Sequence, residues 1–410
     1  MEENESDLRH HIENYLKTIN ISDYTLQISS DSTKGNNFMA LVKRINVRGK
    51  NAKDENTELS FVAKTAEVNE AFRKANFINS IYKREIYTYE KILPSFFELQ
   101  IRYNVPVRFE SYPEYYVSST TDFEEFVILK DMKVCGYKNC DKQHFFDFNH
   151  ASLLIKELGK LHALSFALKE KEPEVFREIC NNARDLEYQP GFLATSKNIT
   201  DLFCIFAVKS LDPLEDRVAF DKFYHFRKKI LDVTKGVICE VFDSKHAVVV
   251  HGDCWLENFL FKYQDDHVPT DVCILDWQKL RVGSPAFDIS QILFLCCDKE
   301  TRNNHYSDLL LAYYQSFSSF LKFFNEDANE LFSFEVLLLH LKKYSVFGLA
   351  RALKVIYFLA INNEDIPDIS NIKDMSESVN MYLNAKRNVN LYNKVMRDMI
   401  LDYISFGYNM

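Results

Sequence analysis

Apolar and polar positions alternate through the first third of the chain and then give way to longer periods. Tyr24 to Ser29, Asn37 to Val47 and Thr57 to Lys64 carry β-branched and apolar residues between turn-like stretches, which predicts three strands. The polar run Arg48 to Asn56 reads as a solvated hairpin loop between the second and third. From Glu67 to Leu93 the pattern turns helical, with Phe72, Phe77, Ile81, Ile86 and Tyr89 on it and Pro94 as the expected stop. Two further strands are expected around Pro106 to Phe109 and Glu125 to Met132, giving the order β-β-β-α-β-β. After Gly136 long helices dominate, beginning with the apolar stripe of His150 to Leu168. A β island from Ala247 to Asp276 interrupts them, and helix resumes from Ala286 to about Tyr403. The layout predicts an α+β chain in which a small antiparallel sheet lobe precedes a large, mainly helical lobe. Residues 1–132 are expected to form the first unit and 133–410 the second.

Composition narrows the function classes. The 410 residues are 47% hydrophobic and 27% charged, the balance of a chain that buries a sizeable core. Lys+Arg 50 against Asp+Glu 59 gives a net charge of −9, and no basic block stands out, which disfavours nucleic acid or an anionic membrane as partner. The nine cysteines form no C-x-x-C pair, so a zinc ribbon, a thioredoxin motif and a disulfide framework are not expected. The acidic start Met1-Glu2-Glu3 lacks the features of a signal peptide, and no apolar run approaches the ~20 residues of a membrane helix. The expectation is a cytoplasmic protein, taken as a monomer.

The β island carries the chemistry. His251-Gly252-Asp253 follows the buried run Ala247 to Val250, and Asn258 comes five residues after Asp253. That spacing resembles the H-R-D-x-x-x-x-N loop of protein kinases. There, a carboxylate orients an acceptor hydroxyl and takes its proton, while the asparagine oxygen coordinates Mg²⁺. Asp276 ends the next apolar strand, where a second metal-binding carboxylate belongs. In the N-terminal part, Val62-Ala63-Lys64 ends the third predicted strand, as the phosphate-binding lysine of kinases does. A helical carboxylate should hold that lysine; Glu85 suits this, with Glu67, Glu70 and Glu90 as competing choices. No glycine-rich phosphate loop of either standard pattern occurs. Gly35 and Asn36, within Ser30 to Phe38, are the available substitute, with an ordinary hairpin turn as the other reading.

The string His251-Gly252-Asp253-x-Trp255-x-x-Asn258-x-x-Phe261, followed by Asp276-Trp277-Gln278 and Gly283-Ser284-Pro285-Ala286-Phe287-Asp288, resembles the ecdysteroid kinase-like family, also called choline-kinase-like kinases. Lys34 to Phe38, Glu85-Ile86-x-x-Tyr89 and Leu161-His162-Ala163-x-Ser165 match further motifs of that family, so the resemblance runs from about residue 25 to 300. It implies a protein-kinase-like fold and ATP- and Mg²⁺-dependent phosphorylation of a hydroxyl on a small molecule, an ecdysteroid or a hydroxylated xenobiotic. By the same resemblance Asp253 is the catalytic base, Asn258 and Asp276 hold Mg²⁺, Lys64 contacts the phosphates and Glu85 supports Lys64. Asp288 braces the catalytic loop, unless it is merely a helix N-terminal charge. His251 organises the loop. Val127 to Met132 is the hinge, and Leu129, Asp131 and Met132 face adenine through their backbone. Lys130 and Asn36 depart from the family's usual Glu and Asp. The other readings are a choline or ethanolamine kinase, and a catalytically dead kinase fold that binds a hydrophobic ligand.

Overall fold

The computed structural model describes residues 2–30, 40–67, 69–140, 145–186, 190–265, 268–367 and 375–410. Its first lobe is a five-stranded antiparallel sheet built from β1 (Ser22–Ser30), β2 (Ala40–Lys50), β3 (Asn56–Ala66), β4 (Tyr115–Ser119) and β5 (Phe126–Lys130), in the order β1-β2-β3-β5-β4. Side chains alternate between the faces of such a sheet. Phe61 and Ala63 of β3 and Phe126 and Ile128 of β5 pack with Leu8, Ile12 and Leu16 of the helix Glu2–Thr18. Lys64, Ala66, Val127 and Leu129 therefore belong to the opposite face, where Ala66, Val127 and Leu129 join the main core. The alternation that buries one set of residues under the first helix thus points Lys64 at the second lobe.

The helical segment after β3 departs from expectation at its end. It begins as Glu70–Asn76 and Ile78–Tyr87, passes through a π-helical turn at Thr88–Ile92, and continues as Leu93–Arg102. Pro94 does not stop it. Leu93 N–H reaches back five residues to the carbonyl of Thr88, and the widened turn accommodates a proline in the first turn of the next helix. The expected strand at Pro106 to Phe109 is absent. Phe109 is instead anchored by its N–H to Gln100 Oε1 at 2.6 Å, and the fourth strand forms later, at Tyr115–Ser119.

The second lobe holds the three-stranded sheet β6 (Lys138–Asn139), β8 (Phe259–Asp265) and β9 (Val268–Ile274), and the two-stranded pair β7 (Val248–Val250) and β10 (Arg281–Gly283). Long helices surround them, among them Phe148–Lys171, Lys299–Leu321 and Val346–Leu359. The structure is thus the α+β, two-lobed arrangement expected, a small antiparallel sheet lobe followed by a mainly helical one. No disulfide joins the described cysteines. Among the described residues no helix is long and apolar enough to cross a membrane.

Candidate active site

Three segments far apart in sequence converge on one ammonium group. Lys64, near the end of β3, pairs with Val42 on β2 and Val127 on β5, so its backbone is fixed by ladders on both sides. Its Nζ donates to Glu85 Oε2 at 2.7 Å and to Asp276 Oδ1 at 2.6 Å. Gln278 Oε1 lies 3.4 Å away, and Gln278 Nε2 donates to Asp276 Oδ2 at 2.9 Å. Burial opposes the charge on Lys64, but the Asp276 and Glu85 carboxylates outweigh it and hold the lysine pKa above its usual value. Burial raises the Glu85 carboxyl to about 7, against the pull of Lys64. Of the competing choices, Glu90 accepts from the Tyr115 hydroxyl at 2.7 Å.

Arg84, one residue before Glu85, donates to the Leu280 carbonyl at 2.5 Å and the Arg184 carbonyl at 2.7 Å. The glutamate-bearing helix is thereby tied to the segment that follows Asp276. Burial and the nearby Arg281 charge lower the Arg84 pKa to about 10.

The loop after β7 is organised by buried polar contacts. His251 Nε2–H donates to the Leu275 carbonyl at 2.9 Å, which leaves Nδ1 to accept from the Asp253 N–H at 3.3 Å. Asp288, on the helix Pro285–Gln291, accepts from the N–H groups of His251 at 2.7 Å and Gly252 at 2.8 Å. His162 Nε2–H lies 3.2 Å from Asp288 Oδ2, and Tyr313 OH lies 2.9 Å from His162 Nδ1. Burial would raise the Asp288 carboxyl, but the hydrogen bond and charge of His162, with the Gly252 N–H, hold it below the usual range. Asp288 is wholly buried and spends its oxygens on the loop, so it is not a solvated charge at a helix end.

Asn258 Nδ2 donates to the Asp253 carbonyl at 2.8 Å, and the Asn258 carbonyl accepts from Leu275 N–H at 2.8 Å. The loop is therefore bonded to the strand end that presents Asp276. Asp276 itself adopts a left-handed backbone conformation, with φ at 64°. The carboxylate of Asp253 accepts from Arg351 Nη2, on the helix Val346–Leu359, and lies 3.6 Å from Lys279 Nζ. Burial drives the neighbouring Cys254 thiol well above its usual pKa, so it is no nucleophile.

At the lobe junction, Leu129 pairs with Val62 and with Tyr115, which commits its backbone to the sheet on both edges. The Asp131 side chain turns back onto the sheet, accepting from Ser60 Oγ at 3.2 Å and Lys133 N–H at 2.9 Å and forming an ion pair with Arg44, whose Nε lies 2.7 Å away. Met132 opens the short helix Met132–Cys135. Lys130 meets Glu114 at 3.4 Å on the surface. Gly35 and Asn36 lie outside the described residues.

The donor set suits a hard cation. An amide oxygen from Asn258 and a carboxylate from Asp276 are the oxygen ligands Mg²⁺ takes when phosphates supply the rest. No group of three or more His, Cys, Asp or Glu residues able to hold a metal occurs among the described residues.

Three solved structures overlay on the chain at low identity. A Plasmodium vivax ethanolamine kinase is 11% identical, with 95% of this chain and 84% of that one covered at a TM-score of 0.42. An aminoglycoside 2'-phosphotransferase in complex with GDP is 15% identical, with coverages of 85% and 98% and a TM-score of 0.37. A microcompartment-associated aminopropanol kinase is 9% identical, with coverages of 97% and 99% and a TM-score of 0.35. No curated protein matches the chain in sequence. The model of the ecdysteroid kinase-like family matches residues 34–326, across both lobes and every motif residue just described, and the chain belongs to that family.

Proposed function

We propose that the protein is a phosphotransferase that uses ATP and Mg²⁺ to phosphorylate a hydroxyl group of a small molecule, an ecdysteroid or a hydroxylated xenobiotic. The observation that carries this reading is the threefold contact of Lys64. Strand lysine, helix glutamate and strand-end aspartate meet at 2.7 and 2.6 Å although they come from three distant segments. Such a junction is what positions ATP phosphates for transfer. In this reading residues 1–132 form the nucleotide lobe, ending in a hinge whose Met132 backbone pairs with adenine. Residues 133–410 form the lobe that holds the acceptor. Lys64 holds the phosphates and Glu85 fixes Lys64. Asn258 and Asp276 would hold Mg²⁺, which supplies charge neutralisation at the phosphates when bound.

Asp253 orients the acceptor hydroxyl and takes its proton as the oxygen attacks the γ-phosphorus. The His251 and Asp288 hydrogen bonds keep that loop rigid, so catalysis rests on positioning and electrostatics. The added phosphate brings roughly −1.5 to −2 charges, which turns an apolar alcohol into a polar product.

The test incubates purified protein and Mg-ATP with sterols, phenolic and alcoholic xenobiotics, choline and ethanolamine, beside an Asp253→Asn control, with products read by mass spectrometry. A phosphorylated alcohol that disappears in the control is the expected result. Failure to bind Mg-ATP at all would overturn the proposal, and a phosphorylated choline or ethanolamine alone would replace its acceptor class.

A further inference from the structure

The loop that carries Asp253 contains no cation: Cys254, Trp255, Leu256 and Glu257 stand between it and Asn258. Asp253 is nonetheless 4% exposed. A carboxylate so buried needs a counter-charge, and the chain supplies it from elsewhere. Arg351 Nη2 donates to Asp253 Oδ1 across 98 residues, and Lys279 Nζ approaches Oδ2 at 3.6 Å.

Arg351 reaches that depth because its helix crosses the Pro285–Gln291 helix at very close range. A Cβ on Gly348 would lie 2.4 Å from Ser290 Oγ and 2.8 Å from the Ser290 carbonyl carbon, so glycine is required at the crossing. Phe347 stacks on Phe287 with ring centres 4.3 Å apart and sets the rotation of the helix. Gly348 and Arg351 are three residues apart and share a helix face. The residue that permits the close approach therefore lies one turn from the residue that uses it. The helix Pro285–Gln291 also carries Asp288, so one short helix positions the loop backbone and the arginine together.

A buried ion pair adds little net stability over a well-packed apolar pair. The placement of this one, on the carboxylate that faces the acceptor, is accounted for by the reaction. Asp253 begins as an anion, and an anionic phosphoryl group moves towards it. In the transfer, the acceptor O–H gives its proton to Asp253 and a bond forms between the acceptor oxygen and the γ-phosphorus. The bond from the γ-phosphorus to the bridging oxygen breaks, and ADP leaves with that electron pair. We propose that Arg351 is the positioning arginine of this step, holding the Asp253 carboxylate in register and offsetting the negative charge that accumulates between it and the transferring phosphoryl group. The proposal rests on the phosphotransferase reading above. Arg351 lies beyond Glu326, where the family match ends.

The experiment uses the full chain and MgADP, with and without aluminium fluoride, a planar anion that stands in for the phosphoryl group in flight. Calorimetry on the wild type should show MgADP binding, tightened about a hundredfold by aluminium fluoride, as transition-state mimics are. In Arg351→Met, which keeps the packed stem, MgADP affinity should be unchanged while the fluoride-dependent tightening disappears. Arg351→Lys should recover part of it. With the alcohol found in the screen, Arg351→Ala should lower kcat about a thousandfold with KM for ATP unchanged, and added guanidinium should restore part of the rate. Equal fluoride tightening in wild type and Arg351→Met would overturn the proposal. So would a loss of MgADP binding in both Met and Lys variants accompanied by a lowered melting temperature, since that marks a purely structural arginine. A wild type that binds no MgADP overturns the phosphotransferase reading instead, and a wild type whose MgADP binding ignores fluoride overturns the arginine's role alone.

Discussion

Lys64 and Asp276 meet at 2.6 Å across 212 residues, and the Glu85 carboxylate sits on the same ammonium at 2.7 Å. One cation therefore keeps the buried Glu85 carboxylate and the half-buried Asp276 carboxylate from facing each other. Lys64→Met should destabilise the fold by about 3 kcal/mol, the cost of stranding a buried charge, and should remove Mg-ATP binding. Denaturant unfolding and calorimetry read the two effects separately. An unchanged unfolding midpoint would show that the junction is not held by charge.

Gly252 adopts φ of +79°, and a Cβ there would sit 2.4 Å from the Lys279 carbonyl oxygen. Both the backbone conformation and the space exclude a side chain. Gly252→Ala should cost about 2 kcal/mol or more and collapse turnover, because the displaced N–H is one of the two that Asp288 holds. Thermal unfolding together with a turnover assay checks this, and a variant of wild-type activity would contradict the geometry.

Asp288→Asn keeps the volume but replaces one acceptor oxygen by a donor. At least one of the His251, Gly252 and His162 donors then loses its partner. The expected loss is about 2 kcal/mol of stability and a fall in kcat with nucleotide affinity retained. Comparing kcat with the Kd for ATP separates a loosened loop from a damaged nucleotide site.

His340 offers a pH test remote from the phosphates. Its Nδ1 lies 2.9 Å from the hydroxyl of Ser284, which caps the helix bearing Asp288. Burial, then the charges of His246 and Lys343, lower its pKa to about 3. An imidazole with a depressed folded pKa takes up its proton on unfolding, so its contribution is complete above pH ~6.5 and is lost as pH falls towards the folded value. Unfolding free energy should therefore drop by up to about 1.4 kcal/mol per pH unit through this group between pH 6 and 4. His340→Gln should flatten that part of the profile, and parallel profiles for the two proteins would contradict it.

Much of the site was legible because its motif residues sit at strand ends and in short loops, where spacing along the chain translates directly into space. Lys64, Glu85, Asp253, Asn258, Asp276 and Asp288 were all named from spacing or resemblance, and the structure brings Lys64, Glu85 and Asp276 into contact. Glu85 cannot be separated from Glu67, Glu70 and Glu90 by pattern alone, because all four fall in the stretch whose pattern reads as helical, and only the packing against β3 selects among them. The first helix is not legible in the sequence although Leu8, Ile12 and Leu16 repeat every four residues, since the polar residues between them leave a single narrow stripe. Pro94 misled because a proline rule assumes an α-helical turn before it, and here that turn is π-helical. Arg84 and Arg351 carried no local signal. Their partners are the Leu280 and Arg184 carbonyls and the Asp253 carboxylate, contacts that exist only after the lobes and the last helices have assembled.

The reach of Arg351 to Asp253 has a consequence for how the protein comes to life during synthesis. Chains leave the ribosome from the N-terminus, and early segments fold before later ones exist. Lys64, the Glu85 and Asp276 carboxylates and the whole loop of Asp253 emerge ahead of the helix Val346–Leu359. Until that helix docks, the carboxylate of Asp253 lacks its arginine partner. On the phosphotransferase reading, a nascent chain carrying every recognisable motif is still silent, and activity is expected only when one of its last helices closes against the helix Pro285–Gln291.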